Sequence, residues 1–245
     1  MPPVQIQTAF VEPLTATTLL DRVAGLIAAG APATVSYVNV HVLNVAAGDP
    51  ALADFLGALD LCYADGNGVV LAARLLGGHL PGRMTGADWM DDLAARASHE
   101  GWRVAWIGGA PGVTDRAAQA MRERHPLVQF VCTEHGFHPT EGAPHDALLA
   151  RLAEARADIV LVGMGTPLQE RWVAANRVKI AVPVVWCVGA MADFVSGEVS
   201  RGPAFLVEKH EWLARLLVDP RRLWRRFLLG NPRFLARVLR SRLRR

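Results

Sequence analysis

The 245-residue sequence has few cysteines and no long apolar segment. Cys62, Cys132 and Cys187 form no C-x-x-C pair and lie in or beside strand-like segments. This pattern disfavours a disulfide framework or a zinc site, and we expect reduced, buried thiols in a cytosolic protein. The longest nearly apolar run, 180–192, is too short to cross a bilayer and is broken by Pro183. The first residues also lack the basic and apolar regions of a signal peptide.

Acidic residues are scarce at the C-terminal end. From Arg201 onward there are 13 Lys and Arg against 3 Asp and Glu, within a chain whose net charge is +3. That stretch therefore carries about +10 and the rest of the chain about −7. We divide the chain into an α/β catalytic domain, residues 1–200, and a basic, aromatic-rich helical appendage, residues 201–245.

Short β-rich apolar runs alternate with stretches of helical periodicity, and no internal repeat or low-complexity segment occurs. This alternation predicts an α/β fold: a Rossmann-like, mostly parallel sheet flanked by helices, followed by a basic amphipathic C-terminal helical appendage. The predicted strands cover residues 33–38, 59–63, 102–107, 127–132, 158–162 and 182–188. The predicted helices cover residues 14–29, 86–98 and 143–157, with one more after Gly68 and one ending near Arg124.

Asp65 follows the apolar run 59–63 and precedes two closely spaced glycines and a helical pattern. Ligands of open α/β sheets bind outside the carboxyl ends of the strands, so Asp65 is expected at the rim of a pocket. Glycines there let the backbone turn sharply and approach a ligand. The alternative is a plain turn, in which Asp before Gly is common.

Two further polar residues occupy comparable positions. Asn39 follows the predicted strand 33–38, with His41 close by, and could line the same pocket or be an ordinary turn residue. Arg83 precedes a predicted helix, where its planar guanidinium could grip a diphosphate. Alternatively, Thr85 caps that helix and Arg83 is solvated.

The segment from Gly163 to Trp172 joins a buried strand to a helix. We expect the loop glycines Gly163 and Gly165, together with Gln169 near the helix N-terminus, to contact substrate. Glu170 could take part as well, or it could only offset the helix dipole.

Two other motifs are less specific indicators of function. The loop Gly108–Gly112 could receive phosphates on its N–H groups, but it is not G-x-G-x-x-G and lacks the acidic partner of an NAD site. His135 and His138 form an H-x-x-H without a third ligand, which favours two solvated histidines at the surface over a metal site. We therefore predict no bound metal and no cofactor.

The C-terminal appendage interleaves Arg with Leu, Trp and Phe. Such a helix can lie in a membrane interface with its arginines at anionic headgroups. Arg221, Arg222, Arg225 and Arg226 could instead grip a pyrophosphate, and we assign substrate binding to the first three. The remaining alternatives are a docked helix with a solvated Arg face or a nucleic-acid patch. The acidic body offers nothing else for nucleic acid, so we expect none to bind.

Several of these segments together resemble the WecG/TagA/CpsF family of bacterial glycosyltransferases. The resemblance spans nearly the whole chain. Its A-D-G-x-G-V-V-x-A-A-R-x-L-G segment is matched from Ala64 to Gly77. Further motifs agree at the following residues: Asn39 of T-x-N; Arg83, Gly86 and Asp88 of R-x-x-G-x-D; Gly165, Pro167, Gln169, Glu170 and Trp172 of G-x-P-K-Q-E-x-W; and Glu211–Leu216 of E-W-x-x-R-L. Three more motifs are matched with replacements: Gly189–Phe194 of G-A-x-F-D-F, Arg201–Pro203 of R-A-P, and Asp219–Phe227 of E-P-R-R-L-x-R-R-Y, in which Asp219 and Phe227 are conservative departures.

The chain departs from the family pattern at three informative positions. Tyr37 replaces the Thr of T-x-N, Leu168 replaces a Lys, and Phe205 stands where the family often has Trp. The change at position 168 removes a positive charge that could contact the donor phosphates.

The resemblance implies an inverting, metal-independent glycosyltransferase with Asp65 as general base. It implies a UDP-sugar donor of the N-acetylmannosamine, N-acetylmannosaminuronic acid or glucose type. The acceptor would be a polyprenyl-pyrophosphate-linked saccharide, used in bacterial polysaccharide or wall-polymer biosynthesis. It further implies a homo-oligomer, peripheral on the anionic cytoplasmic face of the cell membrane. A nucleotide-binding oxidoreductase and a non-catalytic membrane adaptor are the alternatives.

Overall fold

The computed structural model describes residues 1–199 and 220–243, except the side chains of Ala87 and Arg222. The strands within these ranges are β1 (Val4–Ile6), β2 (Ala9–Val11), β3 (Ala33–Val38), β4 (Leu61–Ala64), β5 (Arg103–Gly108), β6 (Gln129–Glu134), β7 (Ile159–Gly163) and β8 (Val184–Cys187).

The helices of the α/β body are α1 (Ala16–Ala29), α2 (Val40–Ala46), α3 (Pro50–Gly57), α4 (Asn67–Leu75), α5 (Gly86–Glu100), α6 (Val113–Arg124), α7 (Ala143–Glu154), α8 (Leu168–Asn176) and α9 (Met191–Val195). Near the C-terminus follow α10 (Pro220–Trp224), a π-helical segment (Arg225–Leu229) and α11 (Gly230–Leu243).

Six strands form one parallel sheet in the order β4-β3-β8-β7-β5-β6, and β1 and β2 form a separate antiparallel hairpin. The chain passes from β4 at one edge to β5 on the far side of β3, β8 and β7. This reversal creates a crevice at the carboxyl ends of the strands, where open α/β sheets bind their ligands. The predicted α/β fold, with its parallel sheet and C-terminal helix, is confirmed.

The central strands are apolar throughout because helices cover both faces of the sheet. In β7, Ile159 and Leu161 pack on one side while Val160 and Val162 pack on the other. The first side also holds Trp89 and Trp186, whose rings stack 4.3 Å apart. Apolar runs without alternation therefore predicted these strands correctly, with end shifts of one or two residues.

Capping geometry defines both ends of α1, the helix predicted over residues 14–29. Thr15 forms a capping box at the start of α1, and Gly30 ends that helix with a positive φ of 67°. The hairpin β1–β2 and the helices α2 and α3 were not predicted. Each hairpin strand has three residues and α2 has seven, too few for a clear periodicity.

No helix in the described ranges has both the length and the apolar content needed to cross a bilayer. The motifs from Arg201 to Asp219, including Phe205, lie outside the described residues.

Candidate active site

Asp65 and Asn39 follow neighbouring parallel strands, and their side chains meet at the sheet edge. Val38 of β3 is paired with Ala64 of β4, and the Asp65 N–H donates to the Val38 carbonyl at 2.9 Å. The Asn39 amide Nδ2 donates to Asp65 Oδ2 at 2.9 Å. Asn39 Oδ1 accepts from the Val42 N–H at 3.0 Å, which caps α2. One side chain thus caps a helix and orients the carboxylate.

Two cavities adjoin Asp65, with volumes of about 510 and 220 Å³. Both are lined by Asn39, His41, Asp65 and Arg226. Asp65 therefore lies where a group bound in one cavity could react with a group bound in the other.

The larger cavity is walled mainly by apolar side chains from two parts of the chain. Leu71 and Ala72 come from α4, whereas Phe227, Phe234 and Leu235 come from the C-terminal helices. An elongated apolar molecule with a polar end near Asp65 would match this lining.

Arg83 lines the larger cavity, and its Nη1 lies 3.7 Å from Asp88 Oδ2. The same carboxylate oxygen accepts from the Thr85 N–H at 3.1 Å as part of the capping box of α5. The capping of α5 and a place for Arg83 at the cavity are therefore compatible, although they were weighed as alternatives.

The smaller cavity is more polar and lies over the carboxyl ends of the central strands. It is lined by Tyr37, Thr85, Gly165, Thr166 and Gly189, among others. Such a cleft, with hydroxyl groups and loop backbone along its walls, suits a polar ligand such as a nucleotide sugar.

Gln169 is fully buried and organises the loops around this smaller cavity. Its Oε1 accepts from the Gly189 N–H at 3.0 Å, and its Nε2 donates to Glu170 Oε1 at 2.9 Å. Thr166, which precedes a cis proline, also donates to Glu170 Oε1, at 2.8 Å. Burial raises the pKa of Glu170, while the hydrogen bonds from Gln169 and Thr166 oppose this rise. The network fixes the loop that carries Gly165.

His41, Tyr37 and Arg226 contribute to the electrostatics of the two cavities beside Asp65. Burial, and secondarily Arg226, lowers the pKa of His41 to about 4, so this imidazole is neutral at pH 7. Burial and the nearby carboxylates of Glu170 and Asp65 raise the pKa of Tyr37. Arg226 therefore supplies positive charge near a neutral imidazole and a neutral phenol.

The predicted site residues fall into distinct places. Asp65, Asn39 and Arg83 line the larger cavity, and Gly165 lines the smaller one. Gln169 lies behind the cavity wall in the interior.

Gly163 makes a close backbone contact: a Cβ there would lie 2.3 Å from the Gly189 carbonyl oxygen. The other glycine loop meets the same strand end, because the Gly109 N–H donates to the Gly163 carbonyl at 3.2 Å. These contacts hold the loops together at the carboxyl ends of the strands.

The arginines of the appendage differ from one another in position. Arg221 and Arg225 are exposed, and Arg225 lies over the Trp224 ring at 5.3 Å. The side chain of Arg222 is outside the described part of the structure. Arg226, which was not among the assigned substrate-binding residues, lines both cavities. Neighbouring arginines differ in the direction in which they leave the helix axis. The π-helical segment has more residues per turn than an α-helix and therefore changes those directions.

His135 and His138, expected as solvated surface residues, are both half-buried. The His138 ring packs against Trp172 at 5.8 Å, and its Nδ1 is 3.0 Å from the His135 carbonyl. No group of three or more His, Cys, Asp or Glu in the described ranges is arranged to hold a metal ion.

Comparison with known proteins agrees with this geometry. The chain is 30% identical over 233 residues to N-acetylglucosaminyldiphosphoundecaprenol N-acetyl-beta-D-mannosaminyltransferase of Bacillus spizizenii, covering 95% of this chain and 85% of that protein. It is 27% identical over 204 residues to the protein of the same name from Staphylococcus aureus strain NCTC 8325, covering 83% and 78% of the two chains.

The sequence profile of the glycosyl transferase WecG/TagA/CpsF family matches residues 4–245, almost the entire chain. The sheet, the carboxylate at its edge and the sequence similarity thus agree, and this protein belongs to the WecG/TagA/CpsF family of glycosyltransferases.

Proposed function

We propose that this glycosyltransferase moves a sugar from a UDP-activated donor to a polyprenyl-pyrophosphate-linked saccharide, with inversion at the anomeric carbon and without a metal ion. The observation that carries the proposal is the position of Asp65 between a polar and an apolar cavity. The named relatives act on N-acetylglucosaminyldiphosphoundecaprenol, a saccharide on a polyprenyl diphosphate. An acceptor of this class has both an apolar tail and a sugar hydroxyl for Asp65.

The donor sugar is assigned to the smaller cavity and the acceptor to the larger one. Asp65 takes the proton of the acceptor hydroxyl as its oxygen attacks the anomeric carbon from the side of the larger cavity. The bond from that carbon to the diphosphate oxygen breaks, and its electron pair leaves with the nucleoside diphosphate. A single displacement of this kind inverts the anomeric configuration.

Arg226 adjoins both cavities and stabilises the negative charge that develops on the leaving diphosphate. Arg83 adjoins the larger cavity and is assigned to the pyrophosphate of the acceptor. Fixed positive charge in a site partly shielded from water is an efficient stabiliser of such a leaving group. This chemistry needs no divalent cation, in accord with the absence of a D-x-D motif from the sequence.

The donor class is N-acetylmannosamine, its uronic acid or glucose. The names of the relatives favour N-acetylmannosamine. Polysaccharide or wall-polymer biosynthesis at the cytoplasmic face of the membrane is the corresponding role. Self-association of the chain stays a prediction.

Release of UDP from a panel of UDP-sugars tests the proposal. The acceptor is a synthetic lipid-pyrophosphate N-acetylglucosamine, and the full-length wild type is compared with Asp65→Asn. Loss of a general base should lower acceptor-dependent release by about 10² to 10⁴. The matched control is Asp54→Asn, which makes the same change on the exposed surface of α3, outside both cavities.

Three results would contradict parts of the proposal. Equal release by wild type and Asp65→Asn would exclude Asp65 as the base. Loss of turnover in EDTA, restored by magnesium or manganese, would exclude metal independence. Tight NAD(P)H binding without sugar transfer would favour the oxidoreductase alternative.

A further inference from the structure

Helix α2 connects the candidate catalytic pair to the C-terminal helices. Its N-cap, Asn39, holds Asp65, and Val40 and His41 line the larger cavity. Asn44 lies three residues beyond His41 and four beyond Val40, and such spacings lie on one face of a helix. The face that borders the cavity therefore also presents Asn44.

Both polar ends of the Asn44 side chain bind the C-terminal helices. Its Nδ2 donates to the Gly230 carbonyl at 2.9 Å, and its Oδ1 accepts from the Arg237 guanidinium. Gly230 and Arg237 are about two turns apart along α11. Two contacts at that spacing fix both the rotation of α11 and its position along its axis.

Gly230 allows this contact because it has no side chain. Its backbone is helical, with φ −68° and ψ −44°, so its conformation alone does not require glycine. A Cβ at this position, however, would lie 2.9 Å from Asn44 Nδ2. The close approach of α2 and α11 therefore depends on both residues.

Apolar packing holds the same two helices together but orients them less strictly. Phe234 and Val238 of α11 are buried in a cluster that includes Val42 and Leu43 of α2. Burial of apolar area is non-directional, whereas hydrogen bonds depend on geometry. The polar contacts of Asn44 thus select one arrangement among those that would bury Phe234.

That arrangement determines the composition of the larger cavity. Arg226 precedes Gly230 by four residues, and Phe234 and Leu235 follow it by four and five. All three line the cavity beside Asp65. A rotation of α11 about its axis would therefore change the wall that faces the acceptor.

We propose that Asn44 is a positioning residue for glycosyl transfer: its amide holds the C-terminal helices against α2 and so places Arg226 and the apolar wall beside Asp65. The inference rests on the proposed function for its kinetic consequence, but the contact itself can be tested without substrate. Asn44 lines neither cavity. Its side chain acts on them through its contacts with Gly230 and Arg237.

The first test is amide hydrogen exchange over residues 230–243 in the full-length protein. Asn44→Leu keeps a similar side-chain volume and removes both hydrogen bonds. Arg237→Gln weakens one of them and leaves α2 unchanged, so it serves if Asn44→Leu fails to fold. Exchange of this segment should accelerate about tenfold or more in either variant, as expected when a hydrogen bond to a charged group is lost.

Arg240→Gln is the matched control, because it makes the same charge change on the exposed surface of α11. Its exchange rates should equal those of the wild type. Unchanged exchange in both Asn44→Leu and Arg237→Gln would overturn the inference, whatever the enzyme transfers.

The second test separates positioning from stability alone. With detergent-solubilised acceptor, Asn44→Leu and Arg237→Gln should raise the acceptor KM about tenfold, because the apolar wall shifts, and should lower kcat, because Arg226 no longer faces the leaving diphosphate. The same charge change at Arg22, an exposed residue of α1 outside both cavities, should change neither constant. Faster exchange with unaltered acceptor KM would overturn the positioning role. Absence of turnover in the wild type would instead count against the proposed function, while the exchange result would still decide the contact.

Discussion

His41 illustrates how a single side chain at the site ties stability to pH. Its pKa is lowered from 6.5 to about 4, first by burial and then by Arg226. Between these two values the unfolded chain binds a proton that the folded chain does not. The free energy of unfolding therefore falls as the pH is lowered from about 6.5 towards 4. Above pH 6.5 His41 is neutral in both states and causes no such loss of stability.

We predict that His41→Gln makes the free energy of unfolding less dependent on pH, because glutamine does not titrate. Urea unfolding at pH 7, 6 and 5 measures this dependence for both proteins. The wild type should lose more stability than the variant between pH 7 and 5. Parallel curves would mean that the folded protein protonates His41 as easily as the unfolded chain does.

Among single residues, the sequence correctly indicated the polar site residues that directly follow a strand. Asp65 and Asn39 each come directly after an apolar run, so their meeting at one sheet edge follows from parallel pairing. Arg226 was not assigned because its neighbours in sequence are equally basic. The direction in which each side chain leaves the π-helical segment brings Arg226 to the cavities and leaves Arg225 exposed.

At the scale of elements, two glycines at the end of β7 and just beyond it perform different tasks. Gly163 lies against the loop after β8, where a Cβ would be 2.3 Å from the Gly189 carbonyl oxygen. Gly165 has a φ of 77°, lines the smaller cavity and has open space where a Cβ would stand. The first glycine permits packing, and the second shapes the cavity.

We predict that Gly163→Ala destabilises the fold by about 3 kcal/mol, because a backbone atom must move to admit the methyl group. Gly165→Ala should cost about 1 kcal/mol, the strain of an L-residue at positive φ. The latter variant should instead raise the donor KM, since its methyl group enters the smaller cavity. Urea unfolding and steady-state kinetics of both variants measure these effects, and the reverse ranking in stability would contradict the assignment.

The predictability of the elements depended on their length and burial. Central strands such as β7 are continuous apolar runs and were found from the sequence. The hairpin β1–β2 was missed because its residue pattern is too short, and it is stabilised by packing on β4 and α4. Asn39 was expected at a strand end, but its role as the N-cap of α2 depends on a seven-residue helix that gave no signal.

At the scale of the whole molecule, charge and apolar surface coincide on the C-terminal helices. Leu228, Leu239 and Leu243 are exposed there, between arginines such as Arg240 and Arg242. Exposed leucines flanked by arginines are the composition of a helix at a membrane interface. The body, by contrast, carries an excess of acidic residues.

We predict that the full-length protein binds vesicles containing anionic lipid and that salt weakens the binding. Each arginine near such a surface contributes about 1 kcal/mol, so Arg240→Gln with Arg242→Gln should weaken binding about tenfold or more. Vesicle sedimentation measures the partition.

The control for charge alone is Arg22→Gln with Arg116→Gln, two exposed arginines of the body that pair with Glu12 and Glu198. This pair of substitutions should leave vesicle binding nearly unchanged. Equal weakening by both pairs would indicate that net charge, not the C-terminal helices, controls the association.

The meeting of the two cavities at Asp65 also bears on how the enzyme could avoid wasting its donor. If the smaller cavity holds the activated sugar, the larger one is a route by which water can reach the same anomeric carbon. An acceptor that fills the apolar space expels that water before its hydroxyl reacts. The acceptor and water would then compete for the space of the larger cavity. The fit of the lipid against α4 and α11 would set the ratio of the rates of transfer and hydrolysis.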